Sequence, residues 1–404
     1  MTNHHDTVDK LLDDATSGRS ILKKRDVLHF TFIPEVILHR DNELAKVTQA
    51  LLPILKKSRP SNLLVYGKPG TGKTLVVKTV LSKIQKRVEK SDFPIKLVYA
   101  NAKDETTLYG LLVSFGKQLG LKTQKELPTT GLSISEVFNR LLDVIQKNST
   151  NAVFVIDEID YLAELISKTG KDILYNLTRA NERLKAGSLT LIGISNDLTF
   201  KERLDPRVLS SLSEEEIVFT NYTVNQIKEI LSNRIKDAFI QGTVETAALN
   251  LCAAMAGQEH GDARRAIDLL RVAGELAERE QSVTVKEDHI RRASQKMEED
   301  KETTVLNSYP LHEKLLIIAI MRANGSSTGE IYQAYKGLCK IIRQREITQR
   351  RVTQILGDIE LSGLITGKIT HQGMHGRTKK YNLTIHPDVV KKAFKDDLIL
   401  TDVL

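Results

Sequence analysis

Short, mostly apolar runs alternate with longer stretches of helical periodicity through the first half of the chain. The apolar runs Leu63–Tyr66, Lys96–Ala100, Ala152–Ile156, Thr190–Ile194 and Glu216–Phe219 read as strands. The stretches between them carry apolar residues at three- and four-residue spacing and read as helices. Such alternation predicts a parallel α/β sheet covered on both faces. Ahead of it lie a polar lead-in, the segment Phe32-Ile33-Pro34-Glu35 to His39-Arg40, and an amphipathic helix to about Leu55. Between the second and third strands the helical pattern runs from Thr106 to Lys147, broken by Leu127-Pro128-Thr129-Thr130-Gly131. One crossover needs one helix, so an extra helical element is expected there.

From Thr223 the pattern becomes wholly helical, with Ile227, Ile230, Leu231, Ile235, Ala247, Leu249 and Leu251 at helical spacing, and it continues to about Met297. The highly charged stretch Glu298–Thr304 reads as a linker. A third unit begins near Ser308-Tyr309-Pro310: helices over Leu311–Arg322, Gly329–Lys340 and Thr348–Ile359, then strands Leu364–Thr370 and Lys379–Leu383 joined by Gly373-Met374-His375-Gly376-Arg377. Three helices and a hairpin predict a winged helix. The expected division is 1–221, 222–304 and 305–404. No internal repeat is visible.

Composition narrows the class. The chain has 404 residues, 41% hydrophobic and 27% charged, in the range of ordinary globular domains. No apolar run reaches membrane-spanning length, and the N-terminus lacks an apolar signal core, so a cytoplasmic, nucleoid-associated protein with no membrane partner is expected. Cys252 and Cys339 fall in different predicted units and read as reduced core thiols. The net charge is +8, and Leu306–Leu404 holds 15 Lys+Arg against 9 Asp+Glu, a local excess of +6. That asymmetry points to nucleic acid.

The chemistry sits at the strand ends. Gly67-Lys68-Pro69-Gly70-Thr71-Gly72-Lys73-Thr74 follows a strand and opens a helix. In that context the glycines let backbone N–H groups face phosphate oxygens, Lys73 reaches the β- and γ-phosphates, and Thr74 can hold Mg²⁺. The third strand ends in Asp157-Glu158: Asp157 can orient Mg²⁺ and Glu158 can polarise the attacking water. Asn196, at the end of the fourth strand, can order that water. Arg203 or Arg207 can stabilise transition-state charge in a neighbouring subunit. Asp262 is a plausible cap of a helix carrying Arg264, which can reach nucleotide phosphates from a lid. In the winged helix, Thr348, Gln349, Arg350, Arg351 and Gln354 precede and surround the core-facing Val352, Ile355, Leu356 and Ile359, and can read base edges. Lys368, Arg377, Lys379 and Lys380 lie on a hairpin without acidic residues and suit phosphate contact.

Taken in order, these residues resemble the archaeal replication-initiator family of AAA+ ATPases, relatives of the eukaryotic origin recognition complex and its helicase-loading partner. The resemblance rests on Phe32-Ile33-Pro34-Glu35 with His39-Arg40, the P-loop, Asp157-Glu158-Ile159-Asp160, the helical insertion, Asn196, Asp205-Pro206-Arg207-Val208-Leu209-Ser210-Ser211, Gly261-Asp262-Ala263-Arg264-Arg265-Ala266 and the winged helix. It implies an AAA+ core, a helical lid and a winged helix on double-stranded origin DNA, with ATP or ADP and Mg²⁺ as cofactors. Asn196 becomes the sensor-1 residue and Arg264 the sensor-2 residue, the insertion becomes a second DNA contact, and Arg40 and Tyr222 join the nucleotide-binding set. Partners implied are the replicative helicase and further copies or paralogues on DNA, with hydrolysis as a slow switch. The alternative is a clamp-loader-like or remodelling ATPase whose winged helix docks proteins.

Overall fold

The computed structural model describes residues 20–404, apart from 90–93, 106, 122, 124–125, 129, 170–172, 213, 259–260 and 372–376. The chain divides into two compact units, Met1–Ile290 and Arg291–Leu404.

The first unit runs α1 (Asp41–Leu51), β1 (Leu63–Gly67), α2 (Lys73–Val88), β2 (Ile95–Asn101), α3 (Leu108–Leu119), α4 (Ile134–Lys147), β3 (Asn151–Asp157), α5 (Ile159–Thr169), α6 (Ile173–Thr178), α7 (Ala180–Arg183), β4 (Ser188–Ser195), α8 (Pro206–Leu212) and β5 (Glu215–Phe219). Its five strands lie in the order β2-β3-β4-β1-β5. Every pairing is parallel, with Tyr66 beside Ser195, Gly67 beside Phe219 and Asp157 beside Ile194. The register therefore brings the ends of β1, β3, β4 and β5 to one edge, where α/β sheets bind ligands.

Side-chain alternation builds the two layers. Leu64, Phe154, Ile156 and Leu191 face one apolar cluster, whereas Leu63, Val65, Val153, Val155, Ile192 and Ile194 face the other. The first cluster takes in the expected extra helical element. It consists of two helices, α3 and α4, capped by Thr107 and Ser133. Leu111, Phe115 and Leu119 of α3 and Val137, Leu141 and Ile145 of α4 are buried there. The Phe115 and Phe154 ring centroids are 4.4 Å apart. The insertion is thus part of the core.

Three helices follow, α9 (Val224–Ala238), α10 (Thr246–Gln258) and α11 (Ala263–Arg279). Thr223 and Gln226 form a capping box at the start of α9. An N-terminal strap crosses these helices. Glu278 of α11 accepts from Ser20 Oγ (2.6 Å) and from the Ile21 and Leu22 amides (both 3.0 Å), and pairs with Arg25. The Lys23 amide donates to Ala238 O, and Arg234 donates to Val27 O.

Helix α12 (Glu287–Ser308) corrects the linker expectation: Glu298–Thr304 lies inside this continuous helix. Glu and Lys are good helix formers, and spacing-four pairs such as Gln295 with Glu299 support a polar helix.

The second unit continues with α13 (Leu311–Arg322), β6 (Ser326–Ser327), α14 (Thr328–Ile341), α15 (Gln349–Leu361), β7 (Ile365–His371), β8 (Arg377–Leu383) and α16 (Pro387–Phe394). The strands form an antiparallel sheet in the order β6-β8-β7. The three helices and hairpin are those expected, and β6 and α16 add to them. Val352, Ile355, Leu356 and Ile359 all bury into a core with Leu316, Tyr335, Tyr381 and Phe394. Among the described residues, no helix is long and apolar enough to cross a membrane.

Candidate nucleotide and nucleic-acid sites

The phosphate loop lies between β1 and α2, and close approach of neighbouring groups requires its glycines. A Cβ on Gly67 would sit 2.4 Å from Phe219 O. Gly70, at φ +72°, would place one 1.7 Å from Asp262 Oδ1. The Lys73 Nζ donates to Gly67 O at 2.7 Å and to Lys68 O at 2.8 Å, which holds it over the loop. Burial lowers its pKa to about 8; Asp157 opposes the shift and Arg264 adds to it.

Asp157 ends β3 beneath this loop. Its Oδ2 accepts from Thr74 Oγ1 at 2.8 Å and from Tyr99 OH at 2.7 Å, and its Oδ1 from the Glu158 amide at 3.0 Å. A hydroxyl and a carboxylate in contact supply the hard oxygen donors that Mg²⁺ takes when phosphates complete its shell. Glu158 has φ +52°, outside the helical region, before α5 begins at Ile159. Burial raises its carboxyl pKa, against the pull of Lys103 and with help from Asp157. Asn196 follows β4, and its amide donates to Asp160 Oδ1 at 3.2 Å. Ser195 Oγ donates to the same oxygen at 2.9 Å.

The lid meets the loop directly. Asp262 caps α11, accepting from the Arg264 and Arg265 amides at 2.8 and 3.1 Å. The Ala263 amide donates to Gly70 O at 3.3 Å. Arg264 thus lies close enough to the phosphate loop to act electrostatically on Lys73, and its guanidinium is 6.0 Å from the Phe30 ring centroid.

Arg40 and Tyr222 lie beneath the loop. Arg40 Nε donates to Thr71 O at 2.9 Å, Nη2 to Thr220 O at 2.6 Å and Nη1 to Glu43 Oε1 at 2.9 Å. Its guanidinium carbon is 3.9 Å from the Tyr222 ring centroid. Its bond to Thr71 O braces the phosphate loop from below. Tyr222 OH packs 3.0 Å from the Cβ position of Gly72.

The two arginine-finger candidates lie on the segment between β4 and β5. Arg203 pairs with Asp197. Arg207 donates to both carboxylate oxygens of Asp205 at 3.0 and 2.9 Å, stacks 5.0 Å from the Tyr175 centroid and is more exposed than Arg203. That pairing holds the Asp205 carboxyl down to about 2. Within the unit, the structure joins the P-loop, Asp157, Glu158, Asn196 and Arg264 at one sheet edge. Arg203 and Arg207 instead pair with Asp197 and Asp205.

Two residues with no role in the sequence reading emerge here. Asp160 anchors the Asn196 backbone; its spacing after Asp157-Glu158 was the available signal. Tyr99 reaches Asp157 only because β2 pairs with β3, and no local pattern announces that.

In the winged helix, Thr348 caps α15, accepting from the Arg351 amide. Gln349, Arg350, Arg351 and Gln354 are exposed, and Arg351 Nη1 donates to Gln354 Oε1 at 2.7 Å. The Ile347 amide, just before the cap, donates to the buried Tyr335 hydroxyl at 3.2 Å. In the hairpin, Lys368 is exposed, while Lys379 is paired with Glu360 of α15. So the hairpin lacks acids in sequence, but folding brings one to it. Lys380 lies opposite Lys368 in the ladder. Arg377 pairs with His371 through the backbone, and its side chain lies outside the described residues.

Comparison with known proteins agrees with this anatomy. Residues 56–200 match the family described as AAA domain, 228–295 the Cdc6 AAA+ ATPase-type lid domain, and 304–393 the CDC6 C-terminal winged helix domain. An ORC1-type DNA replication protein of Cenarchaeum symbiosum is 67% identical, over 99% of this chain and 97% of the relative. One from Pyrococcus abyssi is 41% identical over 98% and 95%. The solved structure of the Aeropyrum pernix ORC1 protein in complex with DNA matches with a TM-score of 0.83 and 37% identity, covering 96% of this chain and all of that one. The chain belongs to the archaeal ORC1-type DNA replication protein family, AAA+ ATPases with a Cdc6-type lid and a C-terminal winged helix.

Proposed function

We propose that this protein is an ATP-regulated replication initiator that binds double-stranded origin DNA and helps recruit or load the replicative helicase. The observation that carries the reading is the lid's seat on the phosphate loop, through Ala263 N to Gly70 O. The helix making that contact also bears Arg264, so nucleotide state can be converted into lid position.

In this reading Lys73 faces the β- and γ-phosphates. Thr74 Oγ1 and Asp157 would hold Mg²⁺, which would offset the charge of those phosphates. Glu158 polarises the attacking water. Asn196, fixed by Asp160, orders that water. Arg207, or Arg203 in its place, serves a neighbouring copy or paralogue assembled on DNA. Turnover is slow and acts as a switch. Gln349, Arg350, Arg351 and Gln354, led by Thr348, read bases, while Lys368, Arg377, Lys379 and Lys380 meet phosphates. The relative from Aeropyrum pernix, solved with DNA, supports the nucleic-acid half of the proposal.

The test is a footprint on a defined origin duplex with ATP or ADP, alongside Lys73→Ala and Glu158→Gln. Protection at repeated specific sites is expected. Lys73→Ala should lose nucleotide, and Glu158→Gln should bind it without hydrolysis. Uniform weak protection would favour the remodelling ATPase instead.

A further inference from the structure

Tyr99 stands on β2, the edge strand of the sheet, and its hydroxyl donates to Asp157 Oδ2 at 2.7 Å. Thr74 Oγ1 donates to that same oxygen. With the adjacent Glu158 amide on Oδ1, the carboxylate has three donors, from α2, from β2 and from its own backbone. A carboxylate with a single donor could rotate about its terminal torsion, which is broad. Three donors define one orientation.

Tyr99 is itself unusually constrained for an edge residue. The outward backbone groups of an edge strand lack a strand partner. Here Gln118 of α3 supplies both bonds: the Tyr99 amide donates to Gln118 Oε1 at 3.0 Å, and Gln118 Nε2 donates to Tyr99 O at 2.8 Å. The Lys78 ammonium sits 4.0 Å from the Tyr99 ring centroid.

We propose that Tyr99 is a positioning residue of the nucleotide–magnesium site, acting through Asp157, and that Gln118 of the insertion acts through Tyr99. The proposal rests on the reading of Thr74 and Asp157 as magnesium residues. Partners that orient a metal-binding carboxylate typically change metal affinity by about 10–100-fold when removed.

The experiment measures affinity for a fluorescent ADP analogue across a Mg²⁺ titration, with an EDTA baseline. Tyr99→Phe keeps the ring beneath Lys78 and deletes only the donor. The Mg²⁺ concentration giving half the metal-dependent gain in affinity should rise about tenfold in Tyr99→Phe, and by less in Gln118→Ala. The double variant should resemble Tyr99→Phe, since Gln118 acts through it. An unchanged Mg²⁺ midpoint in Tyr99→Phe overturns the proposal. So does an equal loss of affinity in EDTA, which would assign the effect to ring packing. Additive midpoints in the double variant refute the Gln118 step. If the wild type gains no affinity from Mg²⁺, the underlying site assignment fails, which is a distinct result.

Discussion

Arg40→Ala separates a brace from a ligand contact. The residue is only 3% exposed and makes hydrogen bonds to two backbone carbonyls and to Glu43. Truncation removes a charged donor from Thr71 O and Thr220 O and leaves Glu43, whose side chain is 15% exposed, without this guanidinium. Each bond to a charged group contributes about 1.5–3 kcal/mol. They do not add, because water can enter the vacated space. Breaking a buried ion pair costs roughly 3–5 kcal/mol, and we take that range for the whole substitution. At about 2–4 °C per kcal/mol the melting temperature should fall by roughly 6–20 °C. Nucleotide affinity should fall as well, since Thr71 loses its tether. Thermal unfolding in EDTA without nucleotide, paired with equilibrium ADP binding, makes the measurement. Unchanged thermal stability with lost ADP binding would refute the brace and restore Arg40 as a direct nucleotide contact.

Gly70→Ala forces a side chain into φ +72° and towards Asp262 Oδ1. The backbone term alone costs about 1–2 kcal/mol. The lid should lift, and release of bound ADP, followed by stopped-flow fluorescence, should accelerate at least several-fold. Glu360→Gln should release Lys379 from its partner and steepen the plot of log K against log salt on non-specific duplex, whereas Lys380→Ala should flatten it by about one unit; fluorescence anisotropy across a salt series distinguishes them, and identical slopes would show that Glu360 does not damp Lys379. Cys252 and Cys339 are both buried, and burial pushes the Cys252 thiol up to about 12. A thiol-specific disulfide reagent at pH 8 should therefore label neither in the folded protein and both in denaturant.

The legible parts of this protein were those that local pattern dictates. Ala152–Ile156 has no polar residue, so it could only be a covered strand, and the carboxylates at its tip follow from that. The P-loop declares itself because phosphate binding needs glycines, a lysine and a helix start in one short stretch. The misreading of Glu298–Thr304 came from treating charge as a sign of disorder, when Glu- and Lys-rich runs also make exposed helices. Strand β6 has two residues and no apolar signal; its pairing of Ser326 with Tyr381 depends on chain folded back from far away. Arg40 joined the nucleotide set through its motif, whereas its contacts with Thr71 and Thr220, 31 and 180 residues distant, come from tertiary packing. Tyr99 and the Glu360–Lys379 pair were hidden for the same reason. Contacts created by register or tertiary packing leave no trace in periodicity.

The strap at Ser20–Leu28 has a consequence for biosynthesis. Its anchor, Glu278, lies 257 residues downstream of Ile21. At a translation rate of about 5–20 residues per second, the ribosome needs roughly 13–50 s to deliver that anchor after the strap has been made. The nucleotide-binding sheet is complete in the nascent chain at Phe219, before α11 exists. During that interval the Ile21 and Leu22 amides lack the Glu278 carboxylate that accepts from them in the finished protein. A segment made before the sheet thus gains its Glu278 anchor only after the whole sheet has been made.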